Sequence, residues 1–360
     1  MKIPIILLTL INLIIFSCNN KELNDFKNKS NIFNKINIPK AELKGNEIKL
    51  DTEILNVDAI FLFDSLIIIR SNQNKNCQLK IYNLNNYNYI GCYGKIGKGP
   101  GEFLGLYTID KLSDSDYLWA LDITKGVLTE IHLDSSLKFM NKYIPDTELV
   151  IRRPRIYNFR QLDQNLFLGI TYGYEPRIRL FNRSLQEISS SLNFPYLDNR
   201  YGINEGDFTR KVKSNIFQYK LCLNKDKNLL AFLYTNHDLI QIVNYKNNSI
   251  KNLIGPENTY PPDYNINSRG IGVITSDSKK AYRAAFGTSK HFYGLYSGSK
   301  FRDPDRNRGD EIYQFNWNGT VIKKYILDQK ISNFIVDESE DKIIGVNMLN
   351  KNPLIEFNIE

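Results

Sequence analysis

The feature that most restricts how this chain can fold is a pattern that recurs six times: an aliphatic or aromatic strand, a loop, a second alternating strand, then an Asn- or Asp-containing turn. The first strands are Leu66–Ile69, Tyr117–Leu121, Leu166–Ile170, Leu229–Leu233, Phe292–Tyr296 and Ile343–Val346, spaced by about 50 to 63 residues. Their partners are Leu79–Tyr82, Leu128–His132, Arg177–Phe181, Leu239–Val243, Glu311–Phe315 and Leu354–Phe357. Turns such as Asn182-Arg183-Ser184, Lys246-Asn247-Asn248 and Asn318-Gly319 follow them, and Asn-Gly between alternating strands is a strong hairpin signal. Six units of about 50 residues, each with strands for one small sheet, predict an all-β six-bladed β-propeller over residues 36–360 in preference to a sandwich, a solenoid or two separate β-domains. The sixth unit reaches Glu360 just after its third strand. Glu47-Ile48-Lys49-Leu50, ahead of the first blade, is the expected donor of the missing outer strand, because pairing first with last removes the open sheet edges.

Ahead of the propeller the N-terminus reads as an address. Met1-Lys2 precede an apolar run from Ile3 to Phe16, too short for the roughly 20 residues of a membrane-spanning helix, so residues 1–17 read as a secretory signal. Ile15-Phe16-Ser17-Cys18 resembles the bacterial lipobox, whose cysteine is acylated and becomes the mature N-terminus, although Phe16 is bulkier than usual there. Ordinary secretion with a chance cysteine is the alternative. The resemblance implies acylation (palmitate) on Cys18, the membrane as a partner through that anchor, and an outer-membrane lipoprotein on the periplasmic side or the cell surface, since Asn19 replaces the Asp associated with inner-membrane retention. Residues 18–35, Asn- and Lys-rich without periodicity, read as the lipidated cysteine and a solvated tether.

The segment Gly94-Lys95-Ile96-Gly97-Lys98-Gly99-Pro100-Gly101-Glu102-Phe103 resembles the Gly-x-Gly-Pro-Gly-Glu-Phe signature of bacterial six-bladed propeller lipoproteins of the TolB-like family. Tyr293–Gly298 and Ile312–Gly319 resemble late-blade motifs of the same family, with Asn316 where Asp is common. The resemblance implies the fold; the family has no general activity to carry over. Gly97, Gly99, Pro100, Gly101, Glu102 and Phe103 are read as a structural motif, the glycines allowing a tight crossing between blades one and two and Phe103 packing between them. A phosphate loop is disfavoured, because Pro100 removes a donor and no helical pattern follows.

The net charge of +8 is spread over many lysines without a block of like charges, which points away from nucleic acid. Cys77 and Cys92 lie almost symmetrically about a predicted turn at Leu84–Asn86; a disulfide between them is one reading and two buried thiols the safer one. Asp303–Gln314 superficially resembles a calcium loop, but its glycine falls one place late and Gln314 stands where a bidentate glutamate belongs. His132, His237 and His291 fall in different predicted blades, and no Gly-x-Ser-x-Gly elbow is present, so no catalytic residue, metal or cofactor is assigned.

In a propeller, blade-to-blade connections and connections from second to third strands open on one face. The long predicted loops, residues 145–155, 195–213, 255–279 and 298–310, are all of those two kinds. They concentrate arginine and tyrosine, with Arg152, Arg153, Arg155, Tyr174, Tyr201, Arg210, Arg269 and Arg302 as candidate ligand-binding residues. Arginine with tyrosine suits acidic or sugar-rich partners through forked hydrogen bonds and ring stacking. The sequence therefore favours a noncatalytic binding or scaffolding module for a glycan, peptide or envelope protein. A propeller lyase or hydrolase acting on an exported carbohydrate, and basic loops that merely solubilise the protein, are the alternatives.

Overall fold

The computed structural model describes residues 21–54, 56–72, 74–112, 115–139, 143–151 and 156–359. Six antiparallel sheets follow one another along the chain and form the blades of a propeller. Their inner strands are Ala59–Phe63, Leu106–Lys111, Ile156–Gln161, Tyr219–Asn224, Tyr282–Gly287 and Asn333–Val336. The six strand pairs recognised in the sequence are the second and third strands of the blades, in the same order. They were legible because burial on both faces turns such strands into short continuous apolar runs: Leu66–Arg70, for example, has three fully buried isoleucines.

Six apolar clusters hold the ring, one at each interface between neighbouring blades. Burying each large aliphatic or aromatic side chain there contributes ~1.5–3 kcal/mol. Phe103 occupies the interface of blades one and two, its ring 6.2 Å from that of Tyr93. The glycine-rich crossing that delivers it is closed on itself. Gly99 N–H donates to the Glu102 carboxylate at 2.9 Å, Gly101 N–H donates to Glu148 at 3.1 Å, and Lys95 pairs with Glu102 at 2.9 Å. Gly101 has a φ of +69°, and a Cβ there would stand 2.6 Å from Pro145. These amides are already taken by carboxylates and offer no anion cradle.

The ring closes between its ends. Gly45–Glu47 pairs antiparallel with Leu354–Asn358, Glu47 opposite Ile355 and Gly45 opposite Phe357, and Ile48 N–H donates to the Leu354 carbonyl. The donor strand thus starts two residues earlier than Glu47. Before it, the chain runs as a strap over the rims of two further blades. Asn31–Ile32 adds a parallel strand to blade four and Lys40–Leu43 another to blade five.

Residues 21–35, expected to be a solvated tether, are instead seated on the propeller. Residues 21–28 are helical, Leu23 and Phe26 pack on the cluster between blades three and four, and Phe26 stacks on Tyr260 at 5.0 Å. Phe33 meets Phe315 edge-on at 5.8 Å, and Lys35 pairs with Glu257 at 2.8 Å. The polar composition hid this because backbone pairing and a few spaced aromatics suffice to order the segment. Residues 1–20, with the signal and Cys18, lie outside the described residues.

Cys77 and Cys92 are joined as a disulfide across 15 residues, which corrects the reading as two thiols; Cys222 is free and buried. The bond ties the loop before the third strand of blade one to its outer strand. Closing a loop of this length removes about 3 kcal/mol of chain entropy from the unfolded state. Replacing both cysteines by serine is expected to lower the unfolding free energy by about 2–3 kcal/mol, read by denaturant titration against the oxidised protein.

Candidate functional site: a cation-lined channel

The inner strands surround a channel that holds a cavity of about 440 Å³, within the size range of small-molecule sites. Every blade contributes to its wall: Asp58–Phe63 and Arg70, Tyr107–Asp110, Asn158 and Arg160, Tyr219–Leu223 and Lys225, Ala284–Gly287, and Asn333. Inner strands begin at the face carrying the blade-to-blade loops, so the first residues of each strand form the mouth on that side and the last ones the opposite end.

Cations in the depth of the channel have partners. Lys225 donates to the Lys111 carbonyl at 3.2 Å and lies 3.9 Å from Asp110, which also accepts from Gln161 N–H at 2.6 Å. Arg160 donates to the Thr108 hydroxyl at 2.9 Å and the Phe159 carbonyl at 3.0 Å.

The mouth is different. Arg70 donates to the carbonyls of Leu106, at 2.9 Å, and Tyr107, while its Nε is buried without a partner. Asp58, the carboxylate whose field reaches Arg70, is occupied by the amides of Asn72, at 3.1 Å, and Asn56, at 2.9 Å. Lys220 Nζ makes no hydrogen bond or ion pair among the described residues, and Arg283 Nε is buried without a partner. Burial pulls the Lys220 amine down to about 8, helped by the like charges of Arg283, Arg70 and Lys280. Burial and the neighbouring Arg283 and Arg306 bring Lys280 to about 8 as well. An unpaired cation cluster inside a protein opposes folding, and such groups gather where a ligand supplies the missing charge.

A fifth cation stands behind the wall. Arg177 is fully buried, with its guanidinium over the rings of Phe194 (4.6 Å), Phe232 (4.8 Å), Tyr219 (5.3 Å) and Tyr234 (5.6 Å). Its Nη1 donates to the Tyr234 hydroxyl at 2.6 Å, and the ring faces substitute for a carboxylate. Tyr219, 5.3 Å from Arg177, also lines the channel.

Of the loop residues singled out in the sequence, those described lie in connections on the face of the mouth, dispersed around it. Arg210 pairs with Asp207 at 2.6 Å and Arg302 with Asp277 at 2.9 Å, so their charge is spent within the loops. The Arg210 backbone approaches Gly173, which brings Tyr174 beside it, and Tyr201 donates to the Tyr264 carbonyl at 3.2 Å. Arg269 sits at the tip of the hairpin formed by Tyr264–Ile266 and Gly272–Ile274. Arg152, Arg153 and Arg155 lie outside the described residues. The loop containing Pro304–Asn307 is closed by its own ion pairs, Asp305 with Arg308 and, at 3.4 Å, with Lys330. His237 is buried among Phe217, Tyr234 and Tyr260, and burial holds it neutral, down to about 3. Among the described residues no group of three His, Cys, Asp or Glu side chains converges as a metal site.

Sequence reasoning missed the mouth itself. The signal was present as a cation inside an apolar inner strand, Lys220 in Tyr219–Asn224 and Arg283 in Tyr282–Gly287, but only second and third strands had been assigned.

Comparison with known proteins agrees with the architecture. The chain is similar to a member of the DUF4221 family from Bacteroides vulgatus, with a TM-score of 0.59 at 9% identity, covering 90% of this chain and 97% of that one. It is also similar to a protein of Bacteroides fragilis described as exported, with a TM-score of 0.56 at 13% identity, covering 92% and 99%. Both likenesses concern the fold. None of the curated proteins compared with the chain matches it. The model of the TolB-like 6-blade propeller-like family matches residues 58–339, and the chain belongs to that family.

Proposed function

We propose that this protein is an exported, lipid-anchored binding propeller of the cell envelope that receives an anionic group of a glycan or peptide in the mouth of its channel. The observation that carries the reading is the set of cations at that mouth, with Arg70 and Lys220 lining the cavity and no carboxylate paired with Lys220 among the described residues. Tyr107 and Tyr219 on the same wall supply ring faces and hydroxyls for the uncharged part of such a ligand. The surrounding loops, with Tyr174, Tyr201, Arg210, Arg269 and Arg302, would extend the contact surface for a larger partner. The Cys77–Cys92 disulfide supports export, because such bonds persist in oxidising compartments. Acylation of Cys18 would place the site at the outer membrane, and mass spectrometry of the membrane-extracted protein tests that attachment.

Anion binding has a definite pH dependence. Lys220 must be charged to attract the ligand, and its free amine titrates at about 8, so affinity is expected to fall as pH rises from 7 to 9, by up to about tenfold per unit above the midpoint. Calorimetric titration with acidic oligosaccharides and their uncharged counterparts reads this directly. Equal binding of both would overturn the reading.

The same residue predicts an exchange of binding for stability. The folded-state pKa of Lys220 lies below the ordinary lysine value, so its charge opposes folding, fully below about pH 8 and progressively less as pH rises toward 10.5. Lys220→Met is expected to raise the unfolding free energy at pH 7, on the order of 1–3 kcal/mol, and to weaken anion binding at least tenfold. A lysine held for structure alone would show a loss of stability instead.

A further inference from the structure

We propose that Lys220 is a nucleophilic amine that condenses reversibly with the carbonyl group of an oxo acid held in the channel mouth, so that the site captures such ligands covalently. The inference rests on the anion-binding reading and adds a reaction to it. Three features of the geometry carry it. Lys220 lines the 440 Å³ cavity, which a small ligand can enter. It has no hydrogen bond or ion pair among the described residues, so its lone pair is not held by a neighbour once the amine is neutral. Arg70 lines the same cavity, and its positive charge, which acts on Lys220, can attract the carboxylate of a ligand.

The neighbouring cations, Arg70 from blade one and Arg283 and Lys280 from blade five, disfavour a second positive charge on Lys220 and keep part of the amine neutral near pH 8. Lysines desolvated beside other cations are activated in this way for Schiff-base chemistry. Burial holds the Tyr219 phenol above its usual range, so it remains an O–H donor on the cavity wall. In the reaction the amine lone pair attacks the carbonyl carbon, the carbonyl π pair moves to oxygen, and the proton lost from nitrogen is taken up there, giving a carbinolamine. Its hydroxyl, hydrogen-bonded by Tyr219, then leaves as water after protonation by solvent, and the nitrogen lone pair forms the C=N bond. The resulting iminium cation would be repelled by the cluster unless it carries its own anion. A carboxylate directly attached to the carbonyl carbon, as in 2-oxo acids, supplies it.

The test uses pyruvate as probe, with cyanoborohydride to reduce any imine, followed by peptide mapping of the full-length protein at pH 7.5. A single adduct on Lys220, formed at least tenfold faster than on any other lysine and slowed by excess lactate, is the expected result. Lys220→Arg, which keeps the charge but removes the nucleophilic amine, should lose the adduct. Labelling spread evenly over surface lysines overturns the proposal. Calorimetric binding of lactate without any Lys220 adduct overturns the covalent step and leaves the anion site standing; absence of both lactate binding and adduct removes the two together.

Discussion

Everything in this molecule depends on the pairing of Gly45–Glu47 with Leu354–Asn358. A ring of blades has no hydrophobic centre; its apolar surface lies between neighbours, and the sixth interface exists only if the last blade meets the first. Register is fixed on both sides of that seam. Ile355 and Phe357 face the cluster shared with blade five, and Leu354 and Ile48 the one shared with blade one. A slip by one residue would turn these side chains to the wrong interfaces. Gly45 is required at the seam because a Cβ there would stand 2.5 Å from Ile355 and 2.7 Å from Phe357. Closure also sets the channel, since the diameter available to Arg70, Lys220 and Arg160 follows from how many inner strands surround it.

The channel divides electrostatically along its length. At depth each cation meets a carbonyl, a hydroxyl or a carboxylate, as Lys225 does with Lys111 and Asp110. At the mouth the charges that act on Lys220 are those of Arg283, Arg70 and Lys280, and among the described residues it has no ion pair. A protein whose charges were arranged for stability alone would not gather Arg70, Lys220 and Arg283 at one mouth with no carboxylate paired with Lys220 among the described residues. Arg177 is set differently within the same fold: its guanidinium lies among four ring faces and donates to Tyr234, while its Nε and Nη2 have no hydrogen-bond partner.

How much could be read from the sequence follows from how each part is held. Second and third strands are buried on both faces, and stretches such as Leu229–Tyr234 announce themselves. Inner strands mix apolar residues facing the blades with polar ones facing the channel, so Tyr219–Asn224 gave no clear period and its lysine went unnoticed. The strap was misread because its order comes from backbone pairing with blades four and five, which composition does not record. Loop arginines were visible, but not the acids that satisfy them: Arg210 and Asp207 are three residues apart, while Arg302 finds Asp277 across a blade connection. Cysteine spacing permitted the Cys77–Cys92 bond without deciding it.

The strap has a kinetic consequence. Residues 31–47 pair with strands ending at Ile254, Ile331 and Asn358, so the earliest part of the propeller must wait for the latest. Contacts this distant along the chain are slow to form, because loop closure must be met before they stabilise anything. Until then the rims of blades four, five and six present unpaired backbone, the template on which chains aggregate. A chain exported N-terminus first would reach the far side of a membrane with its fastening strand already in place and its clasp still in transit, so that ring assembly is timed by the arrival of the last blade.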